Sequence, residues 1–526
     1  MGHNISNLTL NDSTDQYVGL FGQLNQGGTI ENLALIGDNV TGGPGAQAGG
    51  LVGNNVGTIT DAYATGAITG GAQAGGLVGN NVGTITDAYA TGAVTGGMNG
   101  YAGGLVGNNA GTITDAYATG AITGGANGYA GGLVGNNAGM IADGYYDTDA
   151  TGIGSSTNPT SGVTGLTTTA WLTEGPTVAG SQYKFKNPGA WVTGSPYPVL
   201  AALPYLIIKS TGSQTYGRST VTVSAWSAVD QNNKNASNLV NAGKLGWISS
   251  ASATSNVDSN YVLGGYGASA AGYQVTYAGT STVAPAPLTI TAGNQSDIYG
   301  STPVLGGTNF TVVGLVNNDK VTNVGLTTSA TSASAVGNYG ISASDAQGNG
   351  LSNYNINYVP GTLTINPASL TITAGNQSDI YGSMPALGGT NFTVVGLVNN
   401  DKVTNVGLTT SATSASAVGN YGISASGAQG NGLSNYNINY VPGILVVKPV
   451  PILWSEINGR GLSLVPLLLN TDQQGITVEK NVQDVNAGGV AVVAATSGAS
   501  PQGQWHDHFL LRLPTTCSKP LFKRAM

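Results

Sequence analysis

Short apolar runs alternate with glycine- and asparagine-rich corners through the first third of the chain, and the alternation recurs at a fixed interval. The phrase AGGLVGNNVGTITDAYATG begins at Ala48, returns at Ala74 and Ala102, and reappears at Ala130 with an altered second half. Leu51, Leu77, Leu105 and Leu133 mark equivalent positions, spaced 26, 28 and 28 residues apart. A diverged earlier copy, VGLFGQLNQGGTIENLALIG, begins at Val18. Within a copy, GGLVG, GTITDAYA and GAITG favour strands of about three to five residues, bounded by glycines that turn the chain. No window keeps helical spacing over the roughly ten residues a helix needs. The pattern predicts a parallel β-solenoid of about five rungs over residues 17–150, with about two or three short strands per coil. Leu51, Ile59 and Ile68 and their counterparts point inward as aliphatic ladders. The asparagine pairs at 54–55, 80–81, 108–109 and 136–137 stack as amide ladders at a corner.

After Leu200 the interval changes. LTITAGNQSDIYG begins at Leu288 and again at Leu370, an offset of 82, and the two copies are nearly identical through Pro367 and Pro449. A more diverged unit precedes them, its STGSQTYG ending at Gly217. LTIT, FTVVGL, YGISAS, YNINYV and GTLTI read as strands, with Tyr354, Ile356 and Tyr358 on one side by period-two alternation. NNDKVTNV reads as a turn or one short helix. The two copies are expected to fold as independent domains.

Charge narrows the function classes. Charged residues are 7% of the chain, against roughly 25% in an ordinary globular protein. Eleven acidic residues precede Lys184, and no Lys or Arg does. Such a segment cannot grip phosphate, so nucleic-acid binding by the solenoid is excluded. One cysteine, Cys517, rules out an intramolecular disulfide framework. MGHNISNLTL lacks the basic and apolar regions of a signal peptide, so Met1 is read as an internal start or the start of a broken-off reading frame, with the export region upstream. No stretch reaches the ~18 apolar residues of a transmembrane helix. The sequons at Asn4, Asn7 and Asn11 are read as chance.

No catalytic constellation emerges. His3, His506 and His508 are the only histidines, so the HExxH zinc motif is absent. His506-Asp507-His508 lacks a third ligand and a general base, Ser500 does not sit in a nucleophile elbow, and LPTTC at Leu513 has Cys517 where a sortase signal needs glycine. No cofactor or metal is expected. Two ladders remain as candidate ligand-facing rows. Asp61, Asp87, Asp115 and Asp143 share one rung position, and Tyr63, Tyr89, Tyr117 and Tyr145 another. Carboxylates stacked at about 4.8 Å repel by roughly 0.9 kcal/mol per pair in water. A solvated outer face explains the aspartates. Calcium would relieve the repulsion but wants more oxygens than one carboxylate per rung supplies. The tyrosines are read first as packing and second as a stacking surface: exposed Tyr beside carboxylates would favour carbohydrate chemistry, and inward Tyr a stalk.

These residues carry family resemblances. VGLFG…GTIENLALIG followed by GGLVGNN.GTITDAYATG resembles the GLUG repeat of bacterial surface proteins, also found beside the peptidase of some secreted immunoglobulin A proteases. GVTGLTTTAWL, GAWVTG and SPYPVL resemble the closing segment of such an array, which implies Trp191 and Tyr197 as plugs over the last rung. The order IYG…VVGL-NNDKV…VGNYGI…NYNINYVPGTLTINPA resembles the MBG module of the YGX type, a small β-rich domain strung in tandem in bacterial adhesins. The expected organisation is all-β. A GLUG solenoid (1–150) and its closing segment (151–200) precede a degenerate MBG-like module (205–285), two MBG modules (288–367 and 370–449) and a partly disordered tail (450–526). Sandwich and β-grasp arrangements both remain open for the modules. The combination resembles the shaft of a filamentous-haemagglutinin-type adhesin, extracellular or at the bacterial cell surface. That resemblance implies two-partner secretion through a separate outer-membrane transporter and a host surface glycan or protein as partner. An accessory region of a secreted enzyme, or a carbohydrate-active solenoid, is the alternative.

Overall fold

A computed structural model describes residues 2–154 and 160–451, together with two short strands, Ile476–Val478 and Ala495–Ser497, that pair antiparallel. Apart from Val450, Pro451 and those two strands, the tail expected to be partly disordered (450–526), with Ser500, the His506–His508 run and the Leu513 motif, lies outside the described residues. The chain divides into two compact units, Met1–Ala368 and Ser369–Met526.

In the first unit the repeats form a solenoid with four parallel sheets, one more strand per coil than the sequence suggests. The extra side is carried by the three-residue strands Gln47–Gly49, Gln73–Gly75, Tyr101–Gly103 and Tyr129–Gly131. One sheet stacks His3–Ser6, Thr29–Ile36, Thr58–Ala64, Thr84–Ala90, Thr112–Ala118 and Met140–Asp147, and Val163–Leu166 adds a seventh strand at the end. The first coil therefore reaches back to His3, which pairs with Leu33. Equivalent residues pair in register: Ile59 with Ile85, Ile85 with Ile113. Leu51, Leu77 and Leu105 and the three isoleucines are 0% exposed, each buried side chain contributing about 1.5–3 kcal/mol. Both asparagine ladders form. Asn55 donates to Asn81, Asn81 to Asn109 and Asn109 to Asn137 at 2.7–2.8 Å. The outer row runs the opposite way, from Asn136 to Asn108, Asn80 and Asn54. Glycine is obligatory where rungs approach closely: a Cβ on Gly83 would lie 2.1 Å from the Gly57 carbonyl of the rung before.

One rung breaks the pattern inside. Asp38 occupies the column filled by Gly66, Gly92 and Gly120 in later rungs. It is 2% exposed, and neither carboxylate oxygen has a hydrogen-bond partner of good geometry among the described residues. Burial pushes its carboxyl from 3.8 up to about 6, the amides of Asp38 and Gly66 offsetting only part. Below the unfolded value both states are protonated and the group costs nothing. Between the two values only the folded state holds the proton, so stability falls as pH rises. Above the folded value the loss is complete, about 3 kcal/mol at ~1.4 kcal/mol per pH unit. Urea unfolding of Asp38→Gly should lose this step between about pH 3.5 and about pH 7.5. An unchanged pH slope in the variant would remove Asp38 as its source.

Residues 205–285 form a five-stranded sheet around two 11-residue strands, Tyr205–Thr215 and Gln274–Ala284, paired in parallel. The next module repeats this order and these directions, but splits the long strands. Ala286–Ala292 pairs with Tyr354–Val359 in a three-stranded sheet, and Gln295–Ile298 with Gly361–Asn366 in a four-stranded one. Of NNDKVTNV only Asn317 and Asn318 turn, at φ 54° and 62°, and from Lys320 the segment is strand, Lys320–Thr328, not helix. This module shares an apolar cluster with the preceding sheet: Tyr216, Ala251 and Val283 pack with Leu288, Ile290, Val324 and Tyr354. Tyr216 and Tyr354 both donate to Asp319 Oδ2, at 2.8 and 2.9 Å.

The second unit holds the same three- and four-stranded pair of sheets, centred on Ala374, Ala412, Ile423, Leu445 and Val447. That cluster lies within the unit, and residues 369–451 alone should unfold in one cooperative urea transition. Residues 286–367 alone should be less stable than 205–367, having lost the Tyr216 side of their cluster. Equal stability of those two fragments would show the shared cluster to be energetically idle.

Candidate functional site

The aspartate ladder begins with a backbone requirement. Asp61, Asp87, Asp115 and Asp143 have φ of 50–53°, and Asn32 holds the same place one rung earlier at 55°. Asn and Asp enter this left-handed region more readily than other side chains. Each makes a bulge between paired residues: Thr86 pairs with Thr114 and Ala88 with Ala116, while Asp87 is skipped. The bulge shifts the alternation by one. Ile85, Ala88 and Ala90 face the core, and Asp87 and Tyr89 face outward together.

That outward face is covered by the chain's own closing segment. The expectation of a solvated aspartate row therefore fails in the middle of the ladder, where Asp87 and Asp115 are 2% and 0% exposed. Asp115 accepts the backbone N–H of Lys186 and of Asn187, both at 2.7 Å. Asp87 accepts Asn187 Nδ2 and Trp191 Nε1, both at 3.0 Å. Burial pushes both carboxyls upward, and these hydrogen bonds oppose it. Asp61 is partly buried and pushed up by burial, then by Asp87 and Glu31; its Oδ1 is unpartnered. Asp143 lines a polar cleft of about 510 Å³ with Tyr145, Lys184 and Lys186. Among the described residues no group of three or more His, Cys, Asp or Glu is placed to hold a metal ion.

The tyrosines stack and are buried. Tyr63, Tyr89 and Tyr117 lie 4.7 and 4.8 Å apart, centroid to centroid, with rings 2° from parallel, and Tyr145 ends the row. All four are at most 4% exposed, so they do not form an open ligand surface. Tyr117 donates to the Pro198 carbonyl at 2.7 Å and Tyr145 to that of Lys184 at 3.4 Å. Burial pushes the Tyr145 phenol up to about 12.

Trp191 and Tyr197 do not plug the last rung. Trp191 lies along the flank, 6.3 Å from Tyr89 and 5.6 Å from Tyr117, stacked on Phe185 at 4.4 Å. Tyr197 packs on Tyr117 and Trp171 and donates to Asp147 Oδ2 at 2.5 Å. The end position is taken by Val163–Leu166, which pairs with Gly144–Asp147. A seven-residue helix, Thr168–Glu174, then brings Trp171 onto Tyr117 and Tyr145. Sequence reading also missed Gln274, which is 3% exposed. Its Oε1 accepts Tyr89 Oη at 3.0 Å and Leu200 N at 2.9 Å, and its Nε2 donates to the Leu200 carbonyl. It ties the ladder, the closing segment and the 205–285 sheet at one point, across 185 residues of sequence. No local signal marks it. Asp147 was legible, because Asp-Thr-Asp-Ala suits a helix N-cap and Asp147 accepts from Asp149 N and Ala150 N.

Comparison with known proteins agrees with the modular division. The MBG domain (YGX type) family matches residues 288–364 and 370–446, and the GLUG motif matches 98–123. The chain thus carries a GLUG motif and tandem MBG domains. Halomucin of Haloquadratum walsbyi (strain DSM 16790 / HBSQ001) is 42% identical over 69 residues, 13% of this chain and 1% of that protein. The chain therefore spans only a small fraction of this curated relative. A solved chain from Bacteroides ovatus, provisionally named an immunoglobulin A1 protease, aligns at 20% identity with a TM-score of 0.28. That alignment covers 38% of this chain and 76% of the other.

Proposed function

We propose that the protein is a non-catalytic adhesin stalk, secreted or displayed at a bacterial surface, with weak multivalent attachment to a host surface glycan or protein. The observation that carries this reading is the burial of the tyrosine ladder and of Asp87 and Asp115 in the aspartate ladder, with residues 185–200 of the chain itself among their covering. Repetition here builds and clamps structure. Rungs stacked on nearest neighbours extend a rod without needing any one of them to do chemistry. Export would run through a separate outer-membrane transporter.

Attachment then belongs on repeated side chains outside the ladders. The column Gln47, Gln73, Tyr101, Tyr129 suits it. The Tyr101 and Tyr129 rings lie 5.6 Å apart and Tyr129 is 63% exposed. Linked weak sites raise avidity without any one being strong. The whole chain and a Tyr101→Ala/Tyr129→Ala variant should be compared on a glycan array and host cells, beside hydrolysis assays on polysaccharides and protein. Binding that falls in the variant supports attachment there. Turnover that survives rigorous repurification would overthrow the non-enzyme reading.

One observation favours the alternative of a carbohydrate-active solenoid: the closing segment brings Lys184 and Lys186 to the cleft of Asp143, supplying the basic groups the rungs lack. Polysaccharide turnover abolished by Lys184→Ala would select that reading.

A further inference from the structure

A cavity of about 300 Å³ lies between the tyrosine ladder and the 205–285 sheet. Tyr63, Tyr89 and Tyr117 line one side, Tyr197 the closing-segment side, and Tyr273 and Tyr277 the sheet side. No Asp, Glu, Lys, Arg or His is among its lining residues. Most of its polar groups are already engaged. Tyr89 donates to Gln274 and Tyr117 to Pro198, while Tyr277 Oη accepts the Ala268 N–H at 3.0 Å. Tyr63 differs. It is 2% exposed, stacks on Tyr89, and its hydroxyl has no hydrogen-bond partner among the described residues. The phenol row begins at Tyr63, because its register partner in the preceding rung is Ala34. The cavity is thus a single departure within a repeated array.

We propose that this cavity binds one neutral pyranose ring, with the Tyr63 hydroxyl as its hydrogen-bonding anchor. A lining without charge disfavours charged ligands, since a desolvated charge there would meet no counter-charge. Tyrosine rings offer apolar surface to the C–H faces of a sugar, and their rigid polar tips meet its hydroxyls. The volume sits at the lower end of small-molecule sites, which suits one ring and not a chain. The Tyr63 hydroxyl, unpaired within the described residues, opens onto the cavity, where a ligand hydroxyl can pair with it. The site goes beyond the stalk reading and does not depend on it, because a spacer with no internal site would still be a stalk.

The test is saturation-transfer NMR and calorimetry on the full chain, using the methyl glycosides of glucose, galactose, mannose and N-acetylglucosamine, with glucuronate as the charged control. Tyr63→Phe keeps the stacked ring and removes only the hydroxyl. Thr91→Leu fills space from another lining position and serves if Tyr63→Phe fails to fold, as judged by circular dichroism and unfolding temperature. The expected result is binding of at least one neutral glycoside, weakened about tenfold in each folded variant, and none of glucuronate. No glycoside bound at millimolar concentration, affinity unchanged in both variants, or equal binding of glucuronate would each overturn the proposal. Failure here would leave the glycan-array and turnover results unaffected.

Discussion

Replacing Ile85 with aspartate should cost the solenoid several kcal/mol and collapse its cooperative unfolding. Ile85 is 0% exposed and sits in register between Ile59 and Ile113, all in one apolar cluster. A carboxylate there would have apolar neighbours above and below and no cation before Lys184 in sequence. Burying an unpaired charge costs far more than losing the isoleucine's own contribution. Domain stabilities are only about 5–15 kcal/mol, so one such charge removes a large share. Ile85→Val, a loss of about 0.5–1.5 kcal/mol, is the control that separates charge from volume. Retained β-sheet circular dichroism and an unchanged melting temperature in Ile85→Asp would count heavily against an apolar ladder.

Trp191→Ala should be the second large effect, and it acts on the clamp instead of the core. The indole is 6% exposed, stacks on Phe185 and touches two ladder tyrosines. Its removal costs about 3–5 kcal/mol by truncation. The buried Asp87 Oδ1 would also lose its indole donor, adding about 1–3 kcal/mol. Trp191→Phe retains a ring and loses only the N–H, so its loss should be closer to the hydrogen-bond term alone. Limited proteolysis should cut the 175–187 stretch faster in Trp191→Ala than in wild type. Equal unfolding midpoints for all three proteins would mean that the closing segment contributes nothing to the solenoid.

The aliphatic and amide ladders were legible because in-register repetition places each residue on a copy of itself, as Leu51 on Leu77 or Asn55 on Asn81. The fourth strand of each coil was hidden, since three-residue stretches such as Gln73–Gly75 are too short for any periodicity to register. The orientation of the aspartates was legible in principle. Strict alternation from Ile85 would bury Asp87 at every rung, and a charge repeatedly assigned to a core is itself the sign of a bulge. What covers them was not legible. Asp115 meets Lys186 and Asn187 across 71 and 72 residues of sequence, and Tyr89 meets Gln274 farther still. Contacts of that range leave no local periodic trace, and the mixed polar character of residues 180–200 gives no face to read. The plug role of Trp191 failed for a related reason: the end of the stack was already occupied by a strand, Val163–Leu166, paired to the last rung.

The grip of the aspartate ladder on the closing segment can be read from amide hydrogen exchange at Lys186 and Asn187 in the full chain. Both amides should exchange as slowly as those of Thr112–Ala118, the strand they are bound to. In Asp115→Ala they should become fast while that strand stays protected. Exchange at the rate of open loop amides in the wild-type protein would contradict the account, as would full protection that survives loss of the carboxylate.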